Sequence, residues 1–448
     1  MRGTVSLSLL ASALVMNAMA ADSLESMFKE GKASGQIRAF YIDRDYDGYS
    51  SATNVHRNAT AIGGYLKYET GAWNGLSLGT AFYTTNGLFL KDRKVGTADN
   101  AEVDPTLLGK DNESVTYLGE AYVQYKNGNT TFKGGRQKLD TPMAGSDDAR
   151  MLPNLFEAYV LSNTDVKDTT LIAAHVTKFA QGSFGRVYNA AADHILSVTA
   201  GYSYVDSKNH VGEFVDMGSY AIGQETDGVS VAAAIYSGIP GLKLQFWDYY
   251  AHDILNAIYA EANYGWSMGN GVAPYVAAQW INERDVGSEY AGKVKSDFIG
   301  AKAGVKVANF DLSAAVSHNT KENTSTVANG GTISPWGGMP AYTQGMVTRH
   351  QFMAGTDAWK VAAGYDWKDY GITLNTSAFY VEYEMDALNG YSTAPDKATE
   401  AGYDIIYNPQ AIKNLQLRLR ANYARGFKET TSGDAGWDEY RVIANYNF

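Results

Sequence analysis

From Gly35 onward, hydrophobic and polar side chains exchange places at every second position. They do so in segments of about nine or ten residues, the length that carries a tilted strand across a bilayer. In Phe298–Val307, Ile299, Ala301, Ala303, Val305 and Val307 oppose Lys302 and Lys306. In Leu415–Tyr423, Leu415, Leu417, Leu419 and Ala421 oppose Gln416, Arg418, Arg420 and Asn422. The last segment sets Tyr440, Val442, Ala444, Tyr446 and Phe448 against Arg441, Asn445 and Asn447. Val115–Lys126 is read the same way, with Val115, Tyr117, Ala121, Val123 and Tyr125 on one face. Several apolar faces end in aromatics (Tyr65 and Tyr68, Trp73, Tyr264 and Trp266, Tyr365 and Trp367, Tyr446 and Phe448), where girdles at two membrane interfaces would fall.

Soluble sandwiches and propellers alternate too, but their polar face meets bulk water. Here the polar faces carry many Gln, Lys and Arg, and the chain ends on an aromatic inside a strand. Short turns (Asn127–Thr130, Ser237–Gly241, Ala308–Asn309, Asn408–Asn414) alternate with long loops (Gly87–Glu113, Ala180–Gly228, His318–Thr356). One-sided loop length is the mark of an outer-membrane barrel. The pattern predicts an all-β, transmembrane antiparallel barrel of about 18 strands, an even number as single-chain bacterial barrels require. Leu196–Val205 also alternates and is read as an excursion of the long loop rather than a spanning strand.

A mean hydropathy of −0.28 does not argue against the membrane, because such a barrel shows its hydrophobicity only in every second residue. The amino terminus reads as a cleaved secretory signal over residues 1–20: Arg2, an apolar stretch to Met16, then small residues at Ala18 and Ala20. Residues 21–33 read as a short periplasmic helix capped by Asp22, with Glu25 three residues on and Leu24, Met27 and Phe28 on one face; the barrel follows over 34–448. There is no cysteine, hence no disulfide, and a net charge of −11 argues against nucleic acid as a partner. The seven histidines are scattered without metal-site spacing, and neither a nucleophile elbow nor a phosphate-cradling loop is present. No catalytic residue, metal or cofactor is indicated.

Thr131–Val160, TFKGGRQKLDTPMAGSDDARMLPNLFEAYV, stands apart. It starts as a strand, crosses a loop holding Asp140, Asp147, Asp148 and Arg150, and returns as a strand after Pro153. The run FKGGRQKLDTPMAGSDDARMLP resembles the corresponding segment of OprD-type substrate-specific porins of the outer membrane, through its strand-ending lysine and glycine, Pro142, a small-residue loop, Arg150, and then Leu152 and Pro153. The likeness recurs at NGLFLKD (Asn86–Asp92), LQLRLRA (Leu415–Ala421) and DEYRVIANY (Asp438–Tyr446). Trp247–Tyr264 is also similar to the related trimeric major porins. The chain departs from the OprD pattern in its Arg136-Gln137 pair and in Asp147-Asp148.

The resemblance implies an eighteen-stranded barrel in the bacterial outer membrane, with loop 139–153 folded inward as a constriction, and a homotrimer as one assembly. It also implies passage of small carboxylate-bearing solutes along wall arginines, which Arg418, Arg420 and Arg441 match best. Alternation itself places Arg38, Lys302, Lys306, Arg418, Arg420 and Arg441 on the lumen face. Arginine suits a carboxylate because its planar fork donates paired bonds and stays charged. Acids Asp140, Asp147 and Asp148 facing such arginines would set a field across the pore. The plainer reading is that these cations pair with acids and stiffen the wall, and that Asp147-Asp148 is a solvated pair or a weak cation site. Arg136, counted with the constriction, would face lipid under strict alternation with Phe132, so a bulge or a position above the bilayer is expected. Three functions follow: a channel with a charged eyelet passing small anionic or zwitterionic solutes, a general size-selective porin, or a barrel enzyme or adhesin acting through its long loops.

Overall fold

The computed structural model describes residues 21–50, 53–88, 103–109, 112–183, 211–325, 328–338, 340–389, 394–426, 429–430, 433–434 and 436–448. The signal segment and Leu196–Val205 lie outside the described residues.

Tyr, Val, Thr and Phe at alternating positions favour extended backbone, and the strands follow the segments closely. The first seven are β1 (Lys32–Ser50), β2 (Thr53–Glu69), β3 (Leu76–Gly87), β4 (Val115–Asn127), β5 (Thr130–Gln137), β6 (Leu155–Asn163) and β7 (Thr169–Ala180). A three-residue strand, β8 (Phe214–Asp216), adds to the loop end of β7. The wall resumes with β9 (Val229–Tyr236), β10 (Leu242–Ala251), β11 (Leu255–Gly265), β12 (Val272–Asp285), β13 (Lys295–Val307) and β14 (Phe310–Asn319). Next come β15 (Thr356–Asp366), β16 (Leu374–Met385), β17 (Asp396–Tyr407) and β18 (Leu415–Arg425). A small hairpin, β19 (Glu429–Thr430) with β20 (Gly433–Asp434), precedes the closing strand β21 (Gly436–Asn447). All neighbours are antiparallel, and β21 pairs with β1 from Gln36↔Asn447 to Asp47↔Gly436, so 18 strands close on themselves and β8 is extra. Closure leaves no sheet edge, the condition for crossing a bilayer with strands.

The two faces are inverted relative to a soluble protein. Ile299, Val316 and Val442 are more than half exposed on the outside, while Arg38, Arg44 and Arg441 lie inside the wall. A continuous apolar outer band of this kind belongs in hydrocarbon. At the short-turn end, Tyr264 stacks with Trp266 and Phe310 packs edge-on against Tyr365, which fits the expected girdle. Tyr65 does not belong to it: it faces inward and stacks on Tyr83, ring centroids 5.4 Å apart.

Two local readings are corrected. The register of β3 with β4 slips at Gly119, so Tyr117 stacks on inward-facing Tyr83 on the same side as Glu120, instead of sharing the outer face with Val123. A Cβ at Gly119 would lie 2.4 Å from the Tyr83 ring, which explains glycine at the bulge. The amino-terminal helix, α1 (Leu24–Lys29), is capped by Ser23 in a reciprocal pair with Ser26, not by Asp22. Met27, fully buried, and its carbonyl, which accepts from Gly71 N–H, tie α1 to the β2–β3 turn. A second short helix, α2 (Met217–Ile222), follows β8 and is capped by Asp216.

The hydrophobic core lies in the lumen, between wall and inward-folded loops. One cluster joins Leu139, Met143 and Ala144 to Val160, Trp247 and Tyr249 on β6 and β10, and to Ile333, Trp336 and Phe352 from the loop after β14. Apolar packing thus fills the β6–β13 side of the lumen. A second cluster packs Met151 and Leu152 of the first loop, with Leu107 and Leu108, against Phe40, Ile42, Ala59, Ala61 and Tyr83 on β1–β3, and a cleft beside it is lined by Arg38, Lys67 and Lys133.

Candidate functional site

The loop after β5 builds the first side of the eyelet. Asp140 Oδ1 accepts from Ser146 N at 2.9 Å and Ser146 Oγ at 2.5 Å, while Thr141 N donates to Ala144 O, so this carboxylate is spent on the loop's own turn. Asp147 takes a left-handed conformation, φ 37°, that swings the chain back. Arg150 then plugs into the wall with no solvent exposure: its Nη2 lies 2.8 and 3.0 Å from the Glu439 carboxylate, and its Nε donates to Thr106 Oγ1 at 3.1 Å. Arg150 anchors the loop and cannot touch a passing solute, contrary to its expected place in the pore lining.

A second loop, 332–352, folds inward as well, and no periodicity in the sequence announced it. Glu283, Gln279 and Glu400 are among the wall residues that hold it, with Ser317 and Tyr383. Glu283 accepts from Ile333 N at 2.8 Å and Gln279 from Tyr342 N at 2.8 Å. Glu400 gathers Met346 N (2.8 Å), Val347 N (3.2 Å), Thr348 N (2.9 Å) and Thr348 Oγ1 (2.6 Å). The two loops meet where Gly145 N donates to Trp336 O at 3.0 Å. The eyelet is therefore a two-loop structure.

Asp148 is the acid that meets the wall: Arg38 Nη1 lies 2.6 Å from it and Lys138 Nζ 3.5 Å. Burial pushes its carboxyl up, but those two cations outweigh burial and hold it below the usual aspartate value. Arg38 also donates to Asn445 and to the Arg150 carbonyl. At Asp147 burial prevails and raises the carboxyl, with Arg349, Arg150 and Arg420 pulling the other way.

The expected arginine row is present but braced. Arg418 and Arg420 both engage Asp404 on β17, at 2.8 Å and 3.1 Å from their Nε atoms, and each keeps part of its side chain exposed. Arg441 is buried, with Nε 2.8 Å from Glu439 and Nη2 2.9 Å from Asn422, so it backs the wall instead of lining the passage. Lys302 lies over the Tyr275 ring, and Lys306, near the β13–β14 turn, faces Asp311 at 3.8 Å, well away from the eyelet.

Arg136 does not join the lumen. It keeps the outward phase of exposed Phe132, its pairing with β4 and β6 is unbroken, and it sits 3.6 Å from Glu157 under the Phe214 ring. The expected bulge is absent from the register of β5; Phe214, from β8 in the long loop, covers the guanidinium.

Several functional groups escaped the sequence reading. Arg44, with Asp104 at 2.7 Å, and Lys67, with Glu120 at 3.2 Å, lie on lumen faces that alternation could have supplied. Glu400 and Asp404 share the lumen face of β17 in the same alternation, against Ala401, Tyr403 and Ile405, whereas Arg349, in a loop, had no comparable signal. Beside the eyelet, Arg38, Lys67, Lys133, Lys138, Tyr65 and Tyr83 are among the residues lining a cleft of ≈ 190 Å³ between the first loop and the β1–β5 wall.

The model of the OprD family of outer-membrane porins matches residues 25–448. The chain belongs to the OprD family. It is a substrate-specific porin integral to the bacterial outer membrane, a channel rather than an enzyme. The structure is similar to Pseudomonas aeruginosa OccK2 (OpdF) in complex with glucuronate, at 16% identity and TM-score 0.73. It is similar to P. aeruginosa OpdK with vanillate, at 16% and 0.72, and to P. aeruginosa OpdL, at 19% and 0.69. Each comparison covers 94% of this chain and 99% of the other. A search of curated proteins finds no match.

Proposed function

We propose that this porin favours small carboxylate-bearing solutes, anionic or zwitterionic, and passes them along Arg38, Arg418 and Arg420. The observation that carries this reading is the Arg418–Arg420 pair, two guanidinium groups sharing a single carboxylate, Asp404, while remaining partly exposed to the lumen. Two charges against one leave a net positive site whose free donors match a carboxylate. Glucuronate and vanillate, named with two similar structures, are both carboxylates. Passage is passive, so each contact must be weak enough for release. A general size-selective porin is the second reading, favoured by the number of lumen cations that already hold acid partners.

Reversal potential across a salt gradient separates them. Replacing Arg418 and Arg420 with glutamine should shift single-channel selectivity toward cations. If the potential stays where it is in the parent, these arginines do not form the filter and the size-selective reading holds.

A further inference from the structure

Lys133, on β5, is only 7% exposed, yet its ammonium meets no carboxylate within 4 Å among the described residues. Its contact is the face of the Tyr122 ring, 3.7 Å from Nζ to the centroid. Every other cation of the adjoining cleft has an acid partner. Arg38 and Lys138 hold Asp148, and Lys67 holds Glu120, whose other oxygen is taken by the Tyr83 hydroxyl at 2.7 Å. Glu120 and Glu69 act on Lys133 only from a distance. A buried ammonium with unassigned N–H donors is costly unless a partner arrives. Lys133 lines a space of ≈ 190 Å³, far above the roughly 10–15 Å³ that one water needs, so a small solute fits.

We propose that this cleft is a second anion subsite, beside the eyelet and separate from the Arg418–Arg420 pair, taking one small monocarboxylate. Lys133 donates to the carboxylate. Lys67 lies on the same wall, and the Tyr65 and Tyr83 rings, stacked on each other, give a flat apolar side to the remainder of the solute. Glu120 and Asp148 are also in the cleft and repel a second negative charge, which restricts the site to monoanions. Arg38 borders this cleft, but Arg418 and Arg420 lie on β18, so the subsite stands or falls independently of that pair. The cleft borders the eyelet loop, so a solute held here obstructs the passage and occupancy shows as brief interruptions of current.

The test is single-channel recording of the full-length mature porin with sodium benzoate added to a chloride background. Benzoate should produce interruptions whose dwell time becomes about tenfold shorter in Lys133→Met, the loss expected of one hydrogen bond to a charged group. Lys133→Arg should keep most of the dwell time. Lys126→Met, which removes the same charge near the β4–β5 turn, should keep all of it. Absence of interruptions in the parent, or an equal dwell time in Lys133→Met, overturns the subsite. Should Lys133→Met fail to fold, a lysine-acylating reagent on the parent decides: benzoate should protect Lys133 and not Lys126, and equal labelling with and without benzoate overturns the proposal. An unchanged reversal potential in the Arg418/Arg420 variants would refute the filter and leave this result standing.

Discussion

Asp147 and Asp148 are neighbours in sequence and opposites in surroundings. Asp148 sits between Arg38 and Lys138 and is held below the ordinary aspartate value of 3.8; burial moves Asp147 above it. Acidification therefore neutralises Asp147 first. The charge lost is negative, so anion preference should rise as pH falls toward 3.8, and Asp147→Asn should remove that rise; reversal potentials measured across the range read it directly. The Arg38–Asp148 bridge behaves differently. Its contribution is complete above the unfolded value and is lost only as pH drops through the lower folded one, so the loop should stay anchored while Asp147 titrates. Such assignments were only partly legible in the sequence. Alternation put Arg38, Arg418 and Arg420 on the lumen face correctly, because a closed wall enforces a period of two. It had nothing to say about whether an arginine is open or plugged, which depends on partners far away in the chain: Glu439 for Arg150, Asn422 for Arg441.

At the scale of elements, loop 332–352 is held as firmly as the loop after β5. Its most concentrated tie is the Glu400 carboxylate, which takes three successive backbone N–H groups and a hydroxyl. Each bond to a charged acceptor contributes about 1.5–3 kcal/mol, and glutamine would keep only one carbonyl oxygen to receive them. Glu400→Gln should accordingly release residues 346–348, widen the eyelet, and give larger, noisier single-channel currents from a barrel that still folds. The chain has no cysteine. A disulfide from Ser317→Cys and Thr343→Cys, whose hydroxyls lie 2.6 Å apart, should restore the parental current in that background. Strand position and strand parity were readable because the pattern repeats. Loop 332–352 was not, because inward folding is decided by scattered contacts such as Trp336 against the first loop. The slip at Gly119 and the inward turn of Tyr65 have the same origin: one inserted residue, or one stacking partner, changes a face without changing the composition.

For the whole molecule, the proposal gives a chain with a formal charge of −11 the passage of anions. There is no conflict, because what a solute meets in a narrow, low-dielectric passage is the local wall and not the summed charge. Apolar packing of the loops against the wall, on β6–β13 and on β1–β3, narrows the lumen, and Arg38, Lys67, Arg418 and Arg420 stand beside what packing leaves unfilled. The barrel supplies the closed wall and the loops supply the narrowing; in the proposed reading, selectivity comes from the cations left facing the gap. Liposome swelling with a matched pair of solutes tests this most directly: glucuronate against glucose, nearly equal in size and different in charge. Faster entry of glucuronate is the expected result. Equal rates, or faster entry of glucose, would contradict carboxylate preference in this porin.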